Sequence, residues 1–425
     1  MKTKIINNND ESYNIKLSVW LQYLEKKCKN ISTKSLSNVK CVANNLNLLQ
    51  TNAFVFIVTG TNGKGTSCIV LEQLLLESGY RVGLYTSPHL IHYNERIRIN
   101  GHVVDAYKHI LAFSEIEKVS KKVELTYFEF ITLSSLFIFK QENLDVLILE
   151  VGIGGRLDAT NILDADIAVI TNIAMDHMDV LGSDLDSIGY EKSGIFRTGK
   201  IAIIAEQCIP NSIYKIVKEK KILLKKIGYD WNWKIYDNTW DFFYKKKCFD
   251  NLPIPSLSLE NVATSIAALS FSNFNISKKI ITNVVKRTHI PGRFHIILNQ
   301  PLVILDVCHN PHAAKYLSHQ LSQIKKDKII HAVVGMLNNK DILGTISPFL
   351  SLIKFWYCSS VNSERSMLGC DLIKYLPITN SRVFNKISNA FLSALNNAQL
   401  SDIIIVFGSF LTVSEVLSMF SKNII

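Results

Sequence analysis

Gly60-Thr61-Asn62-Gly63-Lys64-Gly65-Thr66 follows the apolar run Phe54–Thr59 and leads into Thr66 to Glu77, a stretch that reads as a helix. Glycines in such a turn let backbone N–H groups converge on a phosphate, and the helix N-terminus adds partial positive charge. Lys64 is placed to reach terminal phosphates, and the Thr66 hydroxyl to touch them or a metal ion. The general phosphate loop has four residues between its first Gly and its Gly-Lys pair. Here two separate Gly60 from Gly63, and Gly65 follows Lys64, so the loop is a variant. A glycine-rich turn with a solvated lysine is the plain alternative; the strand-to-helix context favours a nucleotide.

Outward from this loop, apolar runs alternate with helix-like stretches, the pattern of a parallel α/β sheet. Val82–Thr86, Asp145–Val151, Ile167–Asn172 and Ile201–Ala205 are nearly continuous rows of Val, Ile and Leu, as strands covered on both faces require. From Tyr229 to Phe243, aromatic and polar residues partly alternate, which predicts a small antiparallel patch. A second alternation begins after Pro291-Gly292, with strands expected at Leu302–Val307, Ile329–Gly335, Phe355–Ser359 and Ile403–Gly408. The expected fold is thus a P-loop-type, mostly parallel α/β sheet domain with a small antiparallel patch, residues 1–291, plus a smaller Rossmann-like α/β domain, residues 292–425.

Further chemistry clusters where strands end. Ser87, in Thr86-Ser87-Pro88-His89-Leu90, offers a hydroxyl to a metal, and Arg96 and Arg98 alternate as on a strand. Glu150 ends an apolar run, a costly place for a carboxylate unless it meets a cation or a donor. A Mg²⁺ ion on nucleotide phosphates would serve, as would a structural salt bridge. Gly152, Gly154 and Gly155 then permit close backbone approach, though Arg156-Leu157-Asp158 stands where a dinucleotide fingerprint would start its helix. His177 lies after a strand with Asp176 and Asp179 beside it, a set that suits a divalent metal or a structural histidine. Asp306 ends a strand, with His309 in the turn after it, and Arg293 lies at the expected hinge. These suit ribose hydroxyls and phosphates, or a capped turn and a linker arginine. Asn261 opens a helix-like stretch and suits an N-cap.

Composition bounds the function. Of 425 residues, 48% are hydrophobic and 20% charged, which fits a folded enzyme and excludes a disordered chain. No apolar run is long enough to cross a bilayer, and Met1 to Glu11 is polar, so a cytoplasmic protein with no membrane partner is expected. The eight cysteines form no C-x-x-C pair, which gives no support to a zinc site or redox dithiol. The net charge of +11 raises nucleic-acid binding. But 38 of the basic residues are Lys and 9 are Arg, with no regular helical stripe, so no nucleic-acid partner is expected. An anionic small substrate fits the charge as well.

Taken in order, GTNGKGT, TSPHL with NERIRING, ILEVGIGGRLDATNI, TNIAMDHMDVLG with SIGYEKSGIFR, PGRF and LDVCHNPHAA resemble the Mur ligase superfamily, and within it the bifunctional dihydrofolate synthase/folylpolyglutamate synthases. The match covers nearly the whole chain. The resemblance implies an ATP-dependent ligase that adds L-glutamate to dihydropteroate and to the tails of reduced folates through an acyl phosphate. It implies that Thr61, Asn62, Gly63, Lys64, Gly65 and Thr66 hold the phosphates, with Asn261, Arg293, Asp306 and His309 as further ATP contacts. Ser87, Glu150 and His177 would bind Mg²⁺, and a carbamylated Lys192 would support a second metal. Lys64, His177 and Lys192 would be catalytic; Thr126, Tyr127, Phe128, Glu129, Leu157, Asp158 and Ala159 resemble pterin-side contacts. A further substrate segment is Thr33, Lys34, Ser35 and Leu36; relatives usually show an Ile-Asp pair there, and this stretch has no acidic residue. A monomer is expected.

Two other readings follow. A folylpolyglutamate synthase without the dihydropteroate activity would fit the altered segment, and a P-loop ATPase switch would fit the nucleotide loop alone. Glutamate-dependent ADP formation separates a ligase from a switch.

Overall fold

Phe54–Thr59 has no polar residue before Thr59, so both of its faces must be covered. In the computed structural model, which describes residues 8–29, 31–32 and 35–421, this run is strand β1, inside an eight-stranded sheet. Its companions are β2 (Val82–Tyr85), β3 (Ile97–Ile99), β4 (His102–Val103), β5 (Val146–Glu150), β6 (Ile167–Ile170), β7 (Ile201–Ile204) and β8 (Leu223–Lys226). The order is β4-β3-β2-β5-β1-β6-β7-β8. All neighbours pair in parallel except β2–β3 and β3–β4. The chain passes from β1 to β2, returns through β5 between them, then continues through β6 on the other side. Such a reversal leaves a crevice at the carboxyl edge, where ligands of open α/β sheets bind. The register sets Val58 opposite Glu150 and Thr59 opposite Ile170, so the loops leaving β1, β5 and β6 start level with one another.

Helices cover the sheet. Lys64–Glu77 buries Cys68, Val70, Leu71, Leu74 and Leu75, and it packs against Leu259–Ser270. Tyr127–Lys140 buries Phe130, Ile131, Leu133, Leu136, Ile138 and Phe139 within the main apolar cluster. The antiparallel patch consists of β9 (Trp231–Ile235), β10 (Thr239–Tyr244) and β11 (Lys247–Pro253), with Trp240 fully buried.

By its contacts the chain divides between Thr288 and His289. The second unit holds β12 (His295–Asn299), β13 (Leu302–Leu305), β14 (Ile330–Val334), β15 (Phe355–Ser359), β16 (Ser381–Phe384) and β17 (Ile403–Phe407), in the order β12-β13-β17-β14-β15-β16. Only β12 runs antiparallel to its neighbour. Its own core is built on Ile304, Val334, Trp356, Ile405 and Phe407.

Five strands went unpredicted: β4, β8, β11, β12 and β16. All lie at a sheet edge and carry mostly exposed or half-buried residues, so they lack the continuous apolar row of a central strand. Two local expectations are corrected. Arg96 is in a 3₁₀ turn, Tyr93–Arg96, and only Arg98 is on a strand. Ser258, not Asn261, is the N-cap of Leu259–Ser270; Asn261 is one turn inside the helix. Among the described residues, no helix is long and apolar enough to cross a membrane.

Candidate active site

The loop after β1 closes on the start of the helix Lys64–Glu77. Gly63, just before that helix, has φ +81°, and a Cβ there would lie 2.1 Å from Asn261 Oδ1, so only glycine fits. This brings Asn261 against the loop from within the same unit. The Lys64 ammonium donates to the carbonyls of Gly60 (3.0 Å) and Thr61 (3.2 Å).

The loop after β6 holds this one in place. Thr61 N–H donates to the Asn172 carbonyl (3.0 Å), and Asn62 N–H to Asn172 Oδ1 (2.9 Å). In return, Asn172 Nδ2 (3.0 Å) and the Thr171 hydroxyl (2.6 Å) both donate to the Asn62 carbonyl. The N–H groups of Thr61 and Asn62 are therefore already committed within the protein. A phosphate would draw on donors further along the turn. Thr171 and Asn172 were not singled out from sequence as a brace. The available signal was a polar Thr-Asn pair ending an apolar strand.

Glu150, at the end of β5, is 4% exposed. Its Oε2 accepts from Ser87 N–H (2.9 Å), and both of its oxygens lie within 3.5 Å of where a Cβ of Gly65 would be. The carboxylate thus joins the Ser87 loop to the first turn of the phosphate-loop helix. His177 has φ +51° and opens the short helix Met178–Leu181, with its Nε2 3.9 Å from Asp176 Oδ2. Gly60, Thr61, Lys64, Gly152, Gly154, Asp176, His177 and Lys192 line one pocket. Asp176 faces this pocket and was noted from sequence only as a nearby carboxylate. Among the described residues, no three His, Cys, Asp or Glu side chains converge as a ready-made metal cluster. A hydroxyl, a carboxylate and an imidazole at one sheet edge nevertheless suit a hard divalent ion that keeps waters and phosphate oxygens as its other ligands.

Lys192 comes from the helix Leu185–Ser193 and is 2% exposed. The turn after β5 seats it. Arg156 N–H donates to the Glu191 carbonyl (2.7 Å), and the Arg156 guanidinium clasps Glu191 Oε1 (2.8 and 3.1 Å). Gly194 sits so close that a Cβ would fall 2.3 Å from Arg156 Cβ. Burial pushes the Lys192 amine well below the usual lysine range; the Lys64 charge adds to this and Asp176 opposes it.

The predicted substrate residues flank this edge. Thr126 and Glu129 form a capping box: Glu129 N–H donates to Thr126 Oγ1 (3.2 Å) and Thr126 N–H to Glu129 Oε2 (2.8 Å). Phe128 packs on Tyr85 (6.1 Å between rings) and against Gly152, and Tyr127 is half-buried beside it. Asp158 is buried and organises its own loop, accepting from the N–H groups of Gly152, Ile153 and Thr160 and from the Thr160 hydroxyl. Burial raises its pKa, against the pull of those donors. Leu157 is 39% exposed and Ala159 is buried. Ser35 bonds to Ser37 Oγ (2.7 Å) and Leu36 is half-buried, while Thr33 and Lys34 lie outside the described residues.

In the second unit, Asp306 accepts from the N–H groups of Phe294 (2.8 Å) and Cys308 (2.9 Å), tying the Pro291–Phe294 turn to the end of β13. Burial raises its pKa, and the Arg293 charge opposes the rise. Arg293 lies over the Phe410 ring (5.3 Å), and His309 Nδ1 donates to the Val307 carbonyl (2.8 Å).

Comparison with known proteins matches residues 58–296 to the Mur ligase middle domain and residues 292–410 to the Mur ligase glutamate ligase domain. A dihydrofolate synthase/folylpolyglutamate synthase of Buchnera aphidicola subsp. Acyrthosiphon pisum is 49% identical, over 96% of this chain and 98% of its own length. That of Escherichia coli is 44% identical, over 95% of each chain. Among solved structures, Escherichia coli FolC in complex with DHPP and ADP superposes with a TM-score of 0.93 at 43% identity, covering 96% of this chain and 98% of the other. The bifunctional Yersinia pestis enzyme complexed with AMPPNP and Mn ion gives 0.91 at 43% identity, covering 95% and 98%.

Proposed function

Because the chain belongs to the Mur ligase family, and within it to the dihydrofolate synthase/folylpolyglutamate synthases, we propose how its residues divide the work of an ATP-dependent glutamate ligase. The enzyme adds L-glutamate to dihydropteroate and to folate polyglutamate tails. A substrate carboxylate attacks the γ-phosphorus of ATP, ADP leaves, and an acyl phosphate results. The glutamate amine then attacks the acyl carbon, phosphate departs, and the amine loses a proton as the amide forms.

Negative charge gathers on phosphoryl oxygens in the first step, so positioned cations and N–H donors do most of the catalysis. The observation that carries the assignment of roles is the level start of three loops at one sheet edge, which gathers Lys64, Glu150, His177 and Lys192. Lys64 would exchange its two carbonyl partners for the terminal phosphate. Thr61 and Asn62 would shape the loop, and Gly63, Gly65 and Thr66 would supply donors to the phosphates. Asn261 would be a further nucleotide contact within the first unit, and Arg293, Asp306 and His309 are nucleotide contacts as the family resemblance implies them. Solved relatives hold a nucleotide and a manganese ion. A divalent ion in this chain would be held by Ser87, Glu150 and His177, and would supply neutralisation of phosphate charge. Thr126–Glu129 and Leu157–Ala159 would face the pterin, with Phe128 as the stacking surface.

Lys192 fits a carbamate. Its ammonium has no hydrogen bond or ion pair among the described residues, and its surroundings favour the neutral amine that CO₂ requires. The amine adds to CO₂ and releases one proton, which turns a cation into a carboxylate. Activity should fall on rigorous CO₂ removal, and Lys192→Ala should be partly restored by a small added carboxylate.

The deciding experiment is a paired assay of glutamate-dependent ADP formation with dihydropteroate and with tetrahydrofolate, in ATP and Mg²⁺. Turnover of both is expected. Tetrahydrofolate turnover alone would give the monofunctional reading, and ADP formation without glutamate a switch.

A further inference from the structure

The turn after β5 sets one isoleucine between two glycines, and its backbone is fixed on both sides. The N–H groups of Gly152 (2.9 Å) and Ile153 (3.2 Å) both donate to the buried Asp158 Oδ2. The Gly154 carbonyl accepts from the buried Thr59 hydroxyl (2.5 Å) at the end of β1. Each glycine is packed by an apolar side chain. A Cβ at Gly152 would fall 2.7 Å from Phe128 Cζ, and one at Gly154 2.8 Å from Leu181 Cδ2. Ile153 itself is 43% exposed.

Ile153 lines the same pocket as Lys64, His177 and Lys192. Among the described residues, the apolar side chains of that pocket are Ile153 and Leu181, and Leu181 is only 7% exposed. A scattered isoleucine on an outer surface needs no explanation. One held among charged groups offers apolar area to the ligand that those groups bind. Its branched Cβ restricts χ1, so the surface it offers is stiff. Gly152 lines the pocket too and is packed by Phe128, the ring proposed to stack on the pterin. Along this turn the pterin side and the phosphoryl pocket are one residue apart, with Ile153 as the apolar side chain at the junction. The two acceptor substrates differ in what they would lay there. In dihydropteroate the reacting carboxylate is borne directly on a benzene ring. In a folate tail it ends a flexible glutamate side chain, two methylenes long.

We propose that Ile153 is a specificity-determining residue: the benzoyl ring of dihydropteroate lies on its side chain while the carboxylate on that ring is phosphorylated. The inference rests on the ligase reading above. A flat, rigid ring covers a stiff apolar surface at little entropic cost, whereas a methylene chain covers less of it and loses rotamer freedom in doing so. Ile153 therefore favours dihydropteroate over a folate tail.

The test compares two substitutions on two substrates. Ile153→Ser removes the apolar surface, and Ile153→Leu keeps most of it. Ile153→Ser should raise the KM for dihydropteroate by about five- to tenfold, the worth of the half of an isoleucine side chain that is left to cover. Its kcat should change by less than about twofold, because a ring contact is made equally before and during phosphoryl transfer. The KM values for tetrahydrofolate and ATP should stay within about twofold. Retained tetrahydrofolate turnover by the same preparation shows that the variant is folded. Ile153→Leu should recover most of the dihydropteroate affinity. Equal losses for dihydropteroate and tetrahydrofolate, an unchanged dihydropteroate KM, a raised ATP KM, or identical behaviour of the two variants would overturn the proposal. A wild type that turns over tetrahydrofolate alone would overturn the bifunctional reading and the proposal with it. One that forms no ADP with either substrate would overturn the ligase reading itself.

Discussion

Lys64 shows how a single side chain waits for its ligand. It donates to the carbonyls of Gly60 and Thr61, two acceptors of its own loop, which a terminal phosphate would replace in the proposed role. Lys64→Ala should lower turnover about a hundredfold, the equivalent of about 3 kcal/mol of lost transition-state stabilisation. Steady-state ADP release reads this, and near-normal turnover would remove Lys64 from the site. His109 makes the opposite case, a titratable group away from the chemistry. It is fully buried against Tyr93 and Phe113, and neither ring nitrogen has a well-formed hydrogen bond. Burial lowers its pKa from 6.5 to about 4, with the Val104 carbonyl opposing weakly. The folded state therefore holds fewer protons than the unfolded one between those values. Stability is intact above pH 6.5 and falls as the pH drops towards 4, by roughly 2 kcal/mol between pH 7 and pH 5 from this residue. Urea midpoints of wild type and His109→Phe at both pH values should show that share of the slope vanish in the variant. Lys64, Glu150 and His177 were legible in the sequence because each follows a strong apolar strand. Asn172 and Asp158 were not legible as braces, because their partners are backbone groups that only the folded loops bring near.

At the scale of elements, an apolar row long enough to be covered on both faces announced every central strand. Edge strands gave no such signal: β8 reads Leu-Leu-Lys-Lys, with Leu223 53% exposed, and its place is set by pairing with β7. The antiparallel patch was visible in its aromatics, but its third strand, β11, was not, since most of its residues stay exposed or half-buried. Trp240 holds that patch together. It is fully buried, contacts Phe242 and donates from Nε1 to the Pro253 carbonyl (2.9 Å). Trp240→Ala should cost about 3–5 kcal/mol by cavity formation, read as a lowered urea midpoint. A loss below about 1 kcal/mol would mean the strands close over the gap.

At the scale of the whole molecule, two units with separate cores follow from a chain that runs through two strand–helix alternations. The change of pattern after Pro291-Gly292 lies within a few residues of the division at Thr288. The net charge of +11 belongs to this scale too, because no single strand or motif carries it. The substrates are anions, and a folate tail gains charge with every glutamate. Raising the salt from about 0.05 M to about 0.3 M should therefore increase the KM for a polyglutamylated folate more than that for dihydropteroate. Equal salt responses would confine the attraction to the reacting carboxylate.

The hydrogen bonds that two loops exchange around Asn172 bear on how readily the phosphate loop opens to solvent. Because Thr61 and Asn62 both donate to Asn172, their amide protons should exchange slowly with deuterated solvent whether or not nucleotide is added. Asn172→Ala removes the side-chain half of the latch, and should speed exchange at Asn62 well before it alters exchange in the buried strands. Deuterium uptake resolved along residues 60–66 would then separate a loop that stands ready from one that forms around its ligand.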